Sequence, residues 1–412
     1  GRQRQMCIRD SYRFPDIQIA ERYSRQNLYP YLFSHSIGYV GNLDEEKLQE
    51  ILLSQNLKSN ETIFTYSNGF LNGKTGIEYV YDEKLRGLFG KKIYEVDASG
   101  RLLQEKQMIP AVAGEDIFTS LDLLSQKVAY DELNNRRGAV VAVDINDGSI
   151  VTYVSSPSFS VNKIANGLTQ NEFDELINDD DKPFFDRAAQ GRYSPASTIK
   201  PAIGLFGIDK DILDWEYTIQ DPGFFILPED GRIYRGWKKG GHGEINLKDA
   251  IIESSNTFFF SLAYQTEIEE LRAHLSNFGF GKNVCDDCFM PDNGLLPSPR
   301  WKMNTHNFGW FKGDTVNVGV GQGYINATPI QLAYYSAFLA TKGNINKFSF
   351  VQDSKNANKN IFNSKNITNI DWENIHESMI GVIESPKGTA GRLRSLKDFI
   401  IAAKSGTVEL VS

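Results

Sequence analysis

The chain is 412 residues long, 41% hydrophobic and 23% charged, with a formal net charge of −8. That length accommodates two or three domains with at least one large core, and the composition is that of an ordinary globular protein. The acidic balance argues against a nucleic-acid binder, which needs a basic surface, and no apolar run approaches the roughly 18–20 residues that span a bilayer.

The opening GRQRQMCIRDSYRF is Arg-rich and lacks an initiator Met, so residues 1–20 read as a leader foreign to the rest of the chain. The last residues, Val411-Ser412, come after an apolar strand-like run, and the chain reads as a fragment open at both ends. Residues 21–115 form a mixed, rather polar domain. Within it, 35–44 predict a strand and turn, 45–55 a helix with apolar Leu48, Ile51 and Leu52, and 76–109 strands with Gly turns. A second domain, 116–412, opens with a capped amphipathic helix over 119–133. Two apolar runs, 138–144 and 149–154, then flank Asn146-Asp-Gly148, a hairpin signal. Helices separated by Gly- and Pro-rich loops continue to Gly343. Residues 344–370 are rich in Asn, Lys and Ser and predict a mobile insertion, 373–383 a helix, and 398–403 an apolar strand leading into Lys404-Ser-Gly-Thr407. Hairpin, helical middle and late strand imply an α+β fold, an antiparallel sheet with helices packed on it.

Several motifs mislead. Gly73-Lys-Thr75 resembles the end of a P-loop, but Asn68 stands where its first Gly belongs. Gly319-Val-Gly-Gln-Gly323 has the glycines of a dinucleotide loop without the third, and no βαβ unit surrounds it. Cys285-Asp-Asp-Cys288 has redox spacing in a loop context. A zinc site would need a second ligand pair, which leaves a short-loop disulfide or two free thiols.

Three short motifs carry more. Ser-x-x-Lys occurs at Ser160 and at Ser197, Ser-x-Asn at Ser54, Ser160, Ser254, Ser354 and Ser364, and Lys-[Ser/Thr]-Gly at Lys74 and Lys404. Their setting separates the copies. A serine hydroxyl needs a neighbouring base, and lysine serves only when desolvation or nearby positive charge keeps its amine neutral. Ser197 and Lys200 share a helix face at i, i+3. If Ser197 begins the helix, the macrodipole lowers the Lys200 pKa, and Pro201 is tolerated in the first turn. Apolar Ile203, Leu205, Phe206 and Ile208 bury that helix, whereas Ser160 falls in an extended loop. Ser254 and Asn256 sit between apolar helical runs and point inward. Lys404 ends the late strand, and bare Gly406 lets an extended substrate lie against it.

The ordered trio resembles the active site of penicillin-binding proteins and serine β-lactamases. The strings Arg187-Ala-Ala-Gln-Gly-Arg-Tyr-Ser-Pro-Ala-Ser-Thr-Ile-Lys-Pro201 and Gly319-Val-Gly-Gln-Gly-Tyr-Ile-Asn-Ala-Thr-Pro-Ile-Gln-Leu-Ala333 resemble the class B penicillin-binding proteins, the monofunctional peptidoglycan transpeptidases. Arg235-Gly-Trp-Lys-Lys-Gly-Gly-His-Gly243 and Ala402-Ala-Lys-Ser-Gly-Thr407 are similar to the members that serve cell elongation.

That resemblance implies a transpeptidase domain over 116–412 and a non-catalytic, dimerisation-like pedestal over 21–115. It implies a D,D-transpeptidase with Ser197 as nucleophile, Lys200 as base, Ser254 as proton relay and Asn256 on the substrate amide. Lys404, Ser405, Gly406 and Thr407 would bind the terminal carboxylate, with the backbone N–H groups of Ser197 and Thr407 as oxyanion hole. The implied partners are peptidoglycan stem peptides, β-lactams, a membrane glycosyltransferase and elongation scaffold proteins. The implied location is the inner membrane, single-pass, with the catalytic domain in the periplasm. Some relatives hold zinc through two Asp, one His and one Cys. Asp221 and His242 match, but Gly236 and Ser255 stand at the other positions, so no metal or cofactor is expected. The competing readings are a septal transpeptidase or D,D-carboxypeptidase, and a penicillin-sensing receptor or scaffold that activates a glycosyltransferase.

Overall fold

The structure is a computed structural model that describes residues 25–54, 71–98, 102–351, 360–362, 364, 366–396 and 398–408. The expected leader and the Ser354 motif copy lie outside the described residues. The chain divides into two compact units, 1–117 with 159–179, and 118–158 with 180–412.

In the first unit, strand Val40–Asn42 pairs antiparallel with Leu71–Gly73. Helix Glu45–Ser54 lies where the apolar spacing puts it, burying Leu48 and Ile51 with Leu43 against Phe89. The sequence pattern predicts strands from residue 76, but 76–86 form two short helices, Gly76–Val80 and Asp82–Arg86. Charge placement explains the second. Asp82 and Glu83 occupy its first turn and Lys84 and Arg86 its last, matching the helix dipole, and Arg86 reaches Asp82 at 3.1 Å. The expected strands begin at Lys91–Val96, which pairs with Leu102–Ile109. Residues 159–179 join this unit because Phe159 packs edge-on against His35 and Tyr39.

The second unit carries the predicted hairpin, Gly138–Val143 against Ile150–Ser156, with Gly148 at φ +84° in the turn. Helix Leu123–Leu133 starts later than expected, because the Asp122 side chain caps it by accepting from Ser125 N. Its buried Gln126 bonds both the N–H and the carbonyl of Tyr153, tying helix to strand. Helices Lys200–Asp209, Leu247–Ile252, Asn256–Tyr264, Ile268–Asn277, Pro329–Ala340 and Asn369–Glu384 supply the rest of the core. Phe278 centres one cluster, with rings of His274, Tyr335, Phe338 and Phe362 around it. No helix of the described residues is long and apolar enough to cross a membrane.

Two expectations need correction. The polar segment 344–370 is not simply a mobile insertion, because Ile345, Phe348 and Phe350 are buried core residues. The Cys285–Cys288 disulfide and the Asp287 carboxylate, which accepts from Phe350 N and Val351 N, hold that stretch in place. The late strand over 398–403 is also not formed. A strand exists only through a ladder partner, and here just Ala403 N bonds across, to Met379 O, while Phe399 and Ile400 stand exposed. Among the described residues every sheet is a two-stranded antiparallel pair.

The buried role of the 344–351 stretch is testable. Phe350→Ala is expected to cost about 3–5 kcal/mol in denaturant unfolding, whereas Ile370→Ala, at an exposed position, should cost under about 0.5 kcal/mol. An equally small loss at Phe350 would restore the mobile-insertion reading.

Candidate active site

Residues 195–200 build the centre. A 3-10 turn, Ala196–Ile199, runs directly into helix Lys200–Asp209, with Pro201 in the first turn. Ala196 is held at φ +50°, a left-handed conformation that costs a non-glycine residue of order 1 kcal/mol. Gly321 makes room for it: a Cβ there would lie 2.2 Å from Ala196 O, and Gly321 O accepts from Ala196 N at 2.8 Å. The Gly319–Gly323 loop is thus a close-packed brace behind Ser197. Ser197 itself is half-buried, and Lys200 N donates to its carbonyl.

Lys200 is fully buried in a helix whose residues 200–208 are all buried. Burial pushes its pKa well below the usual lysine value, and the nearby Lys404 charge pushes the same way, against a smaller pull from Asp221. The helix dipole invoked from sequence is not the main cause. Lys200 Nζ donates to Ser254 O at 2.8 Å and Asn256 Oδ1 at 2.7 Å, and lies 3.3 Å from Ser254 Oγ. Its other neighbour is the face of Phe259, at 5.4 Å. A neutral amine has two N–H bonds and one lone pair, so two acceptors leave that lone pair for a hydroxyl. Among the described residues the Ser197 hydroxyl has no protein hydrogen-bond partner.

Ser254, at φ +57°, and Asn256 flank Ser255, which turns the other way. Ser255 Oγ accepts from Phe258 N as the cap of helix Asn256–Tyr264 and donates to Asp221 Oδ2 at 2.7 Å. Lys404 Nζ reaches Ser254 Oγ at 2.9 Å, so Ser254 stands between two amines. Burial brings the Lys404 pKa down to about 7. Gly406 is needed for close approach: a Cβ there would lie 2.8 Å from Thr198 Cγ2 and 3.2 Å from Pro195 O. Residues 404–407 therefore run beside the serine turn although they form no strand.

A family model described as the penicillin binding protein transpeptidase domain matches residues 138–412, and one described as the penicillin-binding protein dimerisation domain matches 3–119. The chain belongs to the penicillin-binding protein transpeptidase family. This penicillin-binding protein is 37% identical over 97% of its length to the peptidoglycan D,D-transpeptidase MrdA of Acinetobacter baumannii, covering 59% of that protein. It is 33% identical over 97% of its length to MrdA of Escherichia coli, covering 64%. It thus spans about three-fifths of the length of these relatives. Among solved structures, it is similar to PBP2 of Helicobacter pylori in complex with MreC (TM-score 0.85, 28% identity, 98% of this chain and 73% of that one). It is also similar to Pseudomonas aeruginosa PBP2 in complex with WCK 5153 (TM-score 0.79, 31% identity, 94% and 81%). The fold is accordingly the penicillin-binding transpeptidase fold with an N-terminal dimerisation domain, built of helices and antiparallel strand pairs.

The other motif copies are structural. Ser160 is not in an extended loop: it caps helix Val161–Asn166, its hydroxyl accepting from Lys163 N. Both Ser-x-x-Lys copies thus begin helical segments, and burial separates them, since Lys163 is exposed and Lys200 is not. Lys74 pairs with Asp44, and the Ser364 hydroxyl bonds Asp209. The zinc set of some relatives does not fit this penicillin-binding protein. Gly236 has no side chain, and the Ser255 hydroxyl is engaged with Asp221, whose other partner is His242 Nδ1 at 2.6 Å. Two ligands do not make a structural zinc site. Sequence reasoning missed Trp237, whose Nε1 donates to the Ser254 carbonyl, and Thr389, whose Oγ1 lies 2.7 Å from Ser405 Oγ. Neither residue type signals such a role by spacing.

The lysine pKa values fix the sign of a pH effect. The unfolded chain keeps these lysines protonated to about pH 10, so between the native and unfolded values it binds more protons, and stability rises with pH. The melting temperature should therefore climb between about pH 7 and pH 9, and Lys200→Met should flatten the climb. Thermal melts of equal slope in both proteins would refute a neutral Lys200.

Proposed function

We propose that this chain is the catalytic portion of a peptidoglycan D,D-transpeptidase of the cell-elongation type, acylated on Ser197 by the D-alanyl-D-alanine end of a stem peptide. The observation that carries the reading is the buried Lys200 amine one turn from Ser197, bonded to Ser254 and Asn256, with Lys404 on the far side of Ser254. The names of the relatives, peptidoglycan D,D-transpeptidase MrdA, support it.

Ser197 Oγ attacks the penultimate D-alanine carbonyl while the Lys200 lone pair takes the hydroxyl proton. The oxyanion meets the backbone N–H groups of Ser197 and Thr407. As the tetrahedral intermediate collapses, the C–N bond breaks. The proton passes from Lys200 through Ser254 to the leaving amine, and D-alanine departs. Asn256 Oδ1 is occupied by Lys200, which leaves the amide NH2 to hold the substrate backbone. Lys404, Ser405, Gly406 and Thr407 receive the terminal carboxylate. The amine of a second stem peptide then attacks the ester, its proton returning through the same groups to Ser197 Oγ. A β-lactam acylates Ser197 with its leaving amine still tethered, and the ester persists.

The partners in this reading are stem peptides, an elongation scaffold of the kind seen with the Helicobacter protein, and a membrane glycosyltransferase. The location is the periplasmic face of the inner membrane. The Cys285–Cys288 disulfide supports an oxidising compartment.

Mass spectrometry after exposure to a β-lactam should find a stable adduct on Ser197 that Ser197→Ala lacks. Stem peptides should give cross-linked dimer. An adduct on another residue defeats the nucleophile assignment, and trimmed monomer alone would make the protein a carboxypeptidase.

A further inference from the structure

Glu253 precedes Ser254 and ends helix Leu247–Ile252, with its side chain only 6% exposed. A carboxylate buried at that level needs partners, because an unpaired buried charge is costly. Its partners come from two separate segments. Lys238 Nζ approaches Oε2 at 3.2 Å from the turn between Ile233–Arg235 and Gly243–Asn246. Lys387 Nζ approaches Oε1 at 3.1 Å from the turn after helix Asn369–Glu384. The buried His242 Nε2 lies 3.9 Å from Oε2. Burial alone would raise the Glu253 pKa, but the bonds from Lys387 and Lys238 prevail and hold it below the usual glutamate value.

Each segment goes on to touch the chemistry. Next to Lys238, the Trp237 Nε1 donates to Glu253 O and Ser254 O at 3.2 Å, the latter being the carbonyl that Lys200 Nζ also uses. Two residues beyond Lys387, Thr389 meets the Ser405 hydroxyl. The Glu253 side chain thus joins the Ser254 backbone, the loop that helps aim Lys200, and the loop that abuts residues 404–407. Both lysines are largely exposed, at 42% and 68%, so neither is needed to fill the core.

We propose that Glu253 is a positioning residue for acylation, clamping the Lys238 and Lys387 loops onto the turn that carries Ser254. The inference rests on the reading of Ser197 as nucleophile. Loss of the clamp leaves every reacting group present but lets residues 404–407 and the Ser254 carbonyl drift relative to Lys200. Misplacement of that kind lowers the rate of the chemical step more than it weakens initial binding.

The test is stopped-flow acylation of the full chain by a fluorescent penicillin, separating the acylation rate constant from the prior dissociation constant, with adducts mapped by mass spectrometry. Glu253→Gln and Lys387→Met should each lower the acylation rate constant by about 10-fold, with the dissociation constant changed less than about 3-fold. Their double variant should be no slower than Glu253→Gln alone, since both break one contact. Lys387→Arg should restore the rate to within about 2-fold of wild type. Lys387→Met changes a surface residue, so its melting temperature should not move, and its slowing would not be a folding defect. A Lys387→Met protein acylated at the wild-type rate, or an additive double variant, overturns the clamp while leaving the Ser197 reading intact. Absence of any Ser197 adduct on the wild-type protein removes both.

Discussion

The site depends on one costly placement, a lysine side chain buried in an apolar helix. In water the ammonium of Lys200 would hold its proton far above neutral pH. Among Ile199, Ile203, Phe206 and the face of Phe259 it cannot do so without compensation. The acceptors within reach, Ser254 O and Asn256 Oδ1, solvate a neutral amine without supplying countercharge. Lys404, on the other side of Ser254, repels a second positive charge. Packing that would be wasteful in a purely structural lysine is what gives this one an available lone pair.

Holding that lone pair in place requires backbone conformations that the chain adopts unwillingly. Ala196 and Ser254 are both left-handed without being glycine, and each stands at or beside a group proposed to react. Their surroundings offset the strain. Gly321 closes on Ala196 at a distance that would exclude any side chain, and Ser255 locks the turn after Ser254 with one hydroxyl used as both donor and acceptor. Glycine at 406 serves a related purpose by letting the Lys404 segment approach Thr198. Sequence alone suggests substrate access as the reason for that glycine, whereas the close approach is to the serine turn itself.

What the sequence made legible was local and chemical. The Ser197, Ser254 and Lys404 motifs converge, the Asn146-Asp-Gly148 hairpin forms, and helix Glu45–Ser54 buries its expected face. What it hid was decided by partners distant in the chain. Residues 398–403 have strand composition but no ladder, and 344–351 have loop composition but a disulfide and a carboxylate pinning aromatic residues inward. The Ser160 copy shows the same limit: both lysines lie three residues after a serine that starts a helical segment, and only long-range packing buries one of them. Composition over a short window cannot report which side of a helix will meet the core.

The Asp221 cluster shows how a hydrogen-bond network can set that geometry without a metal. An ionised carboxylate offers about four lone-pair positions, and Asp221 directs them to Ser255 Oγ, His242 Nδ1 and Gly223 N. Burial raises the Asp221 pKa, yet these bonds outweigh it and keep the group ionised. The result is directional. Ser255 is drawn toward Asp221, so the residues on either side of it, Ser254 and Asn256, must turn toward Lys200. His242 is fixed by the same carboxylate, which leaves its Nε2 facing Glu253. Two acidic residues thus define opposite ends of one turn: Asp221 sets which way its side chains point, and Glu253 sets which loops close over it.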